Sequence, residues 1–335
     1  GHAPARPGRL DYHSPMPPLI DCHAHVLPDA ALAHFPGGTS AHYVTAERRV
    51  LGRMLEAHDA HGVTHALVSD SFFMESAAEE LPSWAPTDRA RLYNDHLADL
   101  LARHPGRLFG LGCVDPFAGE AAGRELERMV LELGFVGALV NPSNGSRYLD
   151  DAACRPLLEA AERLGRPLFV HPSRDLPAAD HYEDFVLSLI VGRPSQTTVC
   201  AARLIFTGVL DRHPRLELLL AHGGGVLPYV AGRLDATWAA YRPERWHGPD
   251  VLSAAPSGYL RRFHADTNTW SLPALELLLK VLGPDRLLVG NDQPPVWFPL
   301  GESLALLERL PLSAADREAV RWRNAARLFG LEPGA

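Results

Sequence analysis

The chain has little cysteine, no excess of positive charge and no long apolar run. Its four cysteines, Cys22, Cys113, Cys154 and Cys200, are far apart and form no Cys-x-x-Cys pair. That excludes a disulfide framework and a sulfur-ligated metal site, and implies buried free thiols in a reducing cytoplasm. A formal net charge of -8 argues against nucleic acid or an anionic membrane surface as a main partner. No apolar stretch reaches the roughly 18 residues of a membrane span, and no signal-like apolar segment stands near the start. Nor is there a repeat of fixed period, or a linker-like stretch that would divide the chain. The 335 residues are 46% hydrophobic and 21% charged, the balance of a globular protein with a large core. The opening Gly1-His2 reads as the remnant of an expression tag and the Pro-rich stretch 3–18 as an arm. Residues 1–18 are therefore set apart from a single domain over 19–335.

What the chain does have begins at Leu19-Ile20-Asp21-Cys22-His23-Ala24-His25. Apolar residues leading into His-x-His read as a short buried strand. Alternate side chains of a strand share a face, so His23 and His25 project together, about 7 Å apart along the strand. Two imidazoles so placed suit one divalent cation of the zinc or iron kind. Alone, the pair is equally compatible with two histidines and no metal.

Downstream, helical and strand periodicities alternate. Helices are predicted over 45–61, 87–103, 119–133, 151–164, 197–212, 226–241 and 271–282, with two more over 303–310 and 316–329 closing the chain. Strands are predicted over 63–68, 108–114, 137–140, 167–171, 216–222, 262–266 and 285–290. With the first, that makes eight strands, nearly all separated by helices. The pattern calls for an α/β fold with a parallel sheet closed into a (β/α)8 TIM barrel, a single domain with loop insertions at the C-terminal mouth. Loops 28–45, 72–86, 172–196 and 240–256 would supply the pocket walls.

Active sites of such barrels lie at the C-terminal ends of the strands. There the sequence puts His23 and His25 on strand 1, His171 on strand 5, His222 on strand 6 and Asp292 after strand 8. The expected metal ligands are His23, His25, His171 and Asp292, with one position open for water or substrate, as in catalytic zinc sites. A dication there lowers the pKa of a coordinated water to about 7 or polarises a substrate oxygen. His222, ahead of Gly223-Gly224-Gly225, is expected beside the metal as an acid or base, the alternatives being a fifth ligand or a side chain that only orients the ligands.

The motifs Asp21-Cys22-His23-Ala24-His25, Val170-His171-Pro172, Ala221-His222-Gly223-Gly224-Gly225 and Gly290-Asn291-Asp292 resemble those of the amidohydrolase superfamily. The resemblance is closer to the branch typified by aminocarboxymuconate semialdehyde decarboxylase and γ-resorcylate decarboxylase. It runs from about Leu19 to Leu331 and includes the segments 202–210 and 232–235. It implies a mononuclear zinc, sometimes manganese, on His23, His25, His171 and Asp292, with His222 acting on the metal-bound water and in proton transfer. It further implies a homodimer in which Arg233 reaches the neighbouring site and binds a substrate carboxylate. Read without the family, Arg233 is a charge on a helix face.

Some positions depart from that branch. Gln293 stands where the branch has Tyr or Trp, and Leu189 where the muconate enzymes have a pocket tryptophan. No first-loop arginine matches, leaving Arg48, Arg49 and Arg174 as stand-ins. These changes keep the metal and alter the substrate. The expected function is a metal-dependent, redox-neutral decarboxylase of a small aromatic or unsaturated carboxylic acid, with Asp292, His222 and Arg233 as its working groups. The rivals are a hydrolase of an amide, lactone or related bond, a hydratase, and a catalytically silent binding protein.

Overall fold

The computed structural model describes residues 9–10, 17–35, 45–174, 176, 179–245, 252–293 and 299–333. Strands and helices alternate along the chain: β1 (Ile20–His25), α1 (Glu47–Ala60), β2 (His65–Ser69), α2 (Phe73–Glu80), α3 (Pro86–Ala102), β3 (Leu108–Cys113), α4 (Glu120–Leu131) and β4 (Gly137–Val140). There follow α5 (Arg155–Leu164), β5 (Leu168–Val170), α6 (Arg193–Phe206), β6 (Leu218–Leu220), α7 (Leu227–Arg245), β7 (Phe263–Asp266), α8 (Leu272–Leu282), β8 (Leu287–Leu288), α9 (Leu300–Glu308) and α10 (Asn324–Phe329). The eight strands pair in sequence order, every neighbour parallel.

Backbone bonds between β1 and the segment after β8 close the ring. Cys22 N donates to Val289 O at 2.8 Å, Asp292 N to His23 O at 2.8 Å and His25 N to Gln293 O at 2.7 Å. The seam of the barrel is therefore also where two of the predicted ligand strands meet.

Strand alternation sorts the core into two layers. Ile20, Cys22, Leu67, Phe109, Leu111, Leu139, Phe169, Leu219 and Leu288 point inward and fill the barrel. Their neighbours Ala66, Val68, Ala138, Val140, Leu168, Val170, Leu218 and Leu220 point outward and pack under the helices. Leu328, Phe329 and Leu331 join the inner cluster, and Asn324 Nδ2 donates to Pro284 O and Leu287 O, both at 2.8 Å. α10 thus plugs the end of the barrel where the strands begin, leaving the other end to the polar residues.

The predicted barrel is observed, with local differences. The loop 72–86 contains α2, whose Phe73, Ser76 and Ala77 are buried at helical spacing; the Phe73 ring sits 5.0 Å from that of Tyr93 on α3. α6 starts at Arg193, ahead of the predicted Thr197, because Pro194 has no N–H to lose in a first helical turn. The last predicted helix is interrupted by a π-turn, Ala319–Arg323. Of the predicted arm, residues 9–10 and 17–18 are described, and Arg9–Leu10 pairs in parallel with Glu332–Pro333. No helix among the described residues is long and apolar enough to cross a membrane.

Candidate metal centre and substrate pocket

The five side chains named from the sequence converge at the C-terminal mouth. One ligand atom each from His23, His171, His222 and Asp292 lie within 4.8 Å of one another. His25 joins them, its Nε2 standing 3.2 Å from His23 Nε2 and 3.1 Å from Asp292 Oδ1. The imidazoles of His23, His25 and His171 meet edge to face, with all three centroid pairs at 4.9–5.0 Å. A bulge in β1 between Asp21 and Ala24 helps aim this cluster.

The Asp292 carboxylate is divided between two jobs. Oδ1 faces His23 Nε2 at 3.3 Å and His25 Nε2 at 3.1 Å, while Oδ2 faces His222 Nε2 at 3.2 Å. Burial pushes the Asp292 pKa up, but His23, His222 and His25 outweigh it and hold the carboxylate ionised. Burial likewise opposes charge on His23, yet Asp292 and Asp266 outweigh it and lift its pKa to about 10, so a dication held there takes the place of the Nε2 proton. His171 is the reverse: burial, with His25, His23 and His222 as like-charge neighbours, holds it well below the ordinary value. A neutral His171 donates from Nδ1 to Pro172 O at 2.9 Å, which leaves the Nε2 lone pair facing inward.

The donor set fits a dication. His171 Nε2 is buried with no hydrogen-bond partner among the described residues. The Nε2 atoms of His23 and His25 face each other too closely for both to carry protons. Nitrogen and carboxylate donors of this kind, at the mouth of a barrel, suit zinc or manganese.

Asp266, at the end of β7, was not singled out from sequence, although a carboxylate at a strand's C-terminal end is the signal that identified the others. Its Oδ2 lies 2.6 Å from His23 Nδ1 and accepts from His222 N at 3.1 Å; its Oδ1 accepts from Gly223 N at 2.9 Å. One carboxylate thus orients a predicted ligand and the backbone that carries His222. Asp21 has a similar part, accepting from His23 N at 3.0 Å and Asn291 N at 3.2 Å while its Oδ2 faces His58 Nε2 at 3.2 Å.

Beside the cluster opens a cavity of about 630 Å³ lined by His222 and Asp292, by Leu189, Ile190 and Trp270, and by Arg193. That is the size range of small-molecule sites, roughly 300–1,000 Å³. Among the described residues, non-glycine positive φ occurs at Phe185, Val186, His222, Trp270 and Asp292, and all but Phe185 line this cavity. Backbone strain of this sort gathers where a site must be held in a set geometry. Glycine is required at Gly225, where a Cβ would fall 2.2 Å from Pro194 O and force α6 away from the start of α7.

Other expectations fall outside the cluster. Arg233 is exposed on α7, and it does not line the cavity of its own chain. Arg48 pairs with Asp29 at 2.8 Å, and Arg49 is exposed. Arg174 is committed to Glu75, with Nε 2.9 Å from Oε2. Leu189 does line the pocket, at the place suggested for the missing tryptophan.

Residues 20–331 match the profile of the amidohydrolase family. The chain is 32% identical over 249 residues to 2-amino-3-carboxymuconate-6-semialdehyde decarboxylase of Dictyostelium discoideum, covering 73% of this chain and 67% of the relative. It is 31% identical over 290 residues to γ-resorcylate decarboxylase of a Polaromonas species, covering 83% of this chain and 87% of that one. Among solved structures, it superposes with a TM-score of 0.75 on a dihydroxybenzoic acid decarboxylase from Polaromonas, crystallised with bound manganese and the inhibitor 2-nitroresorcinol. The two are 27% identical, over 94% of this chain and 97% of that one.

Proposed function

Because the chain belongs to the amidohydrolase family, we propose that it is a metal-dependent, redox-neutral decarboxylase of a small aromatic carboxylic acid. The observation that carries this reading is the divided Asp292 carboxylate, whose Oδ1 faces the histidine cluster while Oδ2 faces His222 beside an apolar-walled cavity.

In this reading His23, His25, His171 and Asp292 hold zinc or manganese, and His222 stands outside that set. When bound, the metal supplies a Lewis acid that binds and polarises oxygens of the substrate. Trp270, Leu189 and Ile190 pack against the ring and exclude water. The bond between ring carbon and carboxylate breaks, its electron pair stays on the ring, and carbon dioxide leaves. His222, aligned by Asp292 Oδ2, delivers the proton that the ring carbon takes up and is recharged from solvent. No oxidant or reductant is consumed.

The working unit in this proposal is a homodimer. Phe185 and Ile190 are 82% and 64% exposed, and Val226 and Tyr229 at the start of α7 are exposed as well. Val226 N is bonded to Thr198 Oγ1 at 2.9 Å, which brings the start of α7 against the first turns of α6. Apolar surface of this kind calls for a cover, and an isologous second copy is the commonest one. Arg233, exposed on the same helix, would cross to the partner's pocket. Four unpaired buried thiols suit a reducing compartment such as the cytoplasm.

Incubating the zinc- or manganese-loaded protein with a panel of hydroxybenzoic acids in deuterium oxide tests the reaction. Release of carbon dioxide with one deuteron placed on the ring carbon is expected. Turnover of an amide or lactone with oxygen-18 from water in the product, and no carbon dioxide from any acid, would overturn the proposal in favour of a hydrolase.

A further inference from the structure

Gln196 stands in the first turn of α6 and is buried. Its amide bridges the chain segments that leave β4 and β5. Oε1 accepts from Ser173 N at 2.9 Å, while Nε2 donates to Ser143 Oγ at 2.8 Å and to Ser173 Oγ at 3.0 Å. A backbone N–H can only donate, so turning the amide over would set two donors against each other.

The peptide that Gln196 holds is the one His171 uses. Pro172 O, which accepts from His171 Nδ1 at 2.9 Å, and Ser173 N belong to one planar unit. The proline ring fixes φ at residue 172, so a single rotation, ψ of Pro172, decides where both groups point. The bond from Ser173 N to Gln196 sets that rotation, and with it aims the carbonyl at the imidazole. A carbonyl only accepts, so the ring proton is drawn to Nδ1 and the lone pair is left on Nε2. That Nε2 is buried with no hydrogen-bond partner among the described residues. With the carbonyl swung away, the ring is free to carry its proton on Nε2, where it has nothing to offer a cation.

We propose that Gln196 is a positioning residue of the metal centre: by holding the 172–173 peptide it sets the tautomer in which His171 serves as a ligand. Arg193 and Pro194, just ahead of it on α6, line the substrate cavity, so one side chain ties that wall to a ligand. This role rests on His171 being a ligand, and not on which reaction follows.

Nitrogen-15 NMR of the His171 ring in metal-stripped protein reads the tautomer at about pH 8, above the ordinary imidazole range. The signal is identified by its loss in His171→Ala. Competition with a chelator reads zinc affinity on the same samples. Wild type is expected to hold the proton on Nδ1. Gln196→Met keeps the length and removes the acceptor. It is expected to show an Nε2-protonated population and to bind zinc about 10- to 100-fold more weakly, the usual weight of a group that orients a ligating histidine. Gln196→Glu, which again turns an oxygen to Ser173 N–H, should restore the tautomer and the affinity. Should Gln196→Met not fold, Gln196→Asn, one methylene short of that N–H, takes its place with the same expectation. A role confined to packing would lower the denaturant midpoint and leave tautomer and affinity unmoved, and that result would overturn the proposal. A wild-type His171 protonated on Nε2 would overturn it as well. A shifted tautomer in Gln196→Met, in a protein whose wild type binds no zinc or manganese, would sink the reading of His171 as a ligand and leave the peptide clamp standing.

Discussion

His23 Nδ1 lies 2.6 Å from Asp266 Oδ2, and the same oxygen accepts the backbone N–H of His222. A single carboxylate at the end of β7 therefore fixes the tautomer of a predicted ligand and the position of the predicted acid. Partners of this kind usually matter 10- to 100-fold for metal affinity. Asp266→Asn keeps the shape and removes the charge. It is expected to weaken zinc or manganese binding by about that factor, read by competition with a chelator. Unchanged affinity would reduce Asp266 to a support of the Gly223 backbone.

His171 and His222 should separate cleanly. His171 has a neutral imidazole whose buried Nε2 has no hydrogen-bond partner among the described residues, whereas His222 Nε2 faces the outer oxygen of Asp292 at 3.2 Å. Elemental analysis of His171→Ala is expected to find little bound metal. His222→Ala is expected to keep a full equivalent while turnover falls by about 100-fold or more, the contribution of a general acid. Metal loss in His222→Ala would make it a ligand, which its place within 4.8 Å of His23, His171 and Asp292 allows.

The barrel and the five converging side chains were legible in the sequence because both follow from short-range patterns. Alternating strand and helix periods specify the fold, and polar residues closing apolar strands mark its mouth. Asp266 was equally marked, but its partners are His23, 243 residues away, and the backbone of His222, and neither pairing leaves a local trace. Gln196 was hidden for another reason. An uncharged amide near a helix start carries no signal of its own until the fold lays the 172–173 peptide against it. Spacing reveals which residues share a face; it does not reveal which peptide a buried side chain will hold.

Gly290 sits between the two halves of this arrangement. A Cβ placed there would lie 2.8 Å from both the Asp266 Cβ and the His23 Cβ, so Gly290→Ala must push one from the other. Overpacking of this order costs about 1–3 kcal/mol, and the displaced atoms are those that aim His23. A lower melting temperature together with weaker metal binding is expected. Gly52→Ala is the control, since Gly52 lies within α1 with nothing within 4 Å of its added Cβ. It should gain about 0.5–1 kcal/mol from helix propensity and bind metal normally. Equal metal affinity in the two variants would mean that His23 is not positioned through this contact.

The thiols predict how the protein fails in alkali. Cys22, Cys113, Cys154 and Cys200 are all buried and unpaired. Burial raises each pKa above the ordinary thiol value, with Asp21 and Asp266 adding to the effect at Cys22 and Asp70 at Cys113. Cys200 is pushed up to about 12. A group whose folded pKa lies above its unfolded one binds more protons when folded. Its contribution to stability is therefore intact below the unfolded pKa, near 9, and is lost as pH rises toward the folded value. Denaturant midpoints should hold up to about pH 9 and then decline, and replacing Cys200 with Ala should soften the decline, beyond whatever uniform cost its cavity brings. A disulfide-exchange reagent at pH 8 is expected to titrate no thiol in the native protein and all four in guanidinium. Rapid labelling of a native cysteine at that pH would show a thiolate stabilised where burial should forbid it.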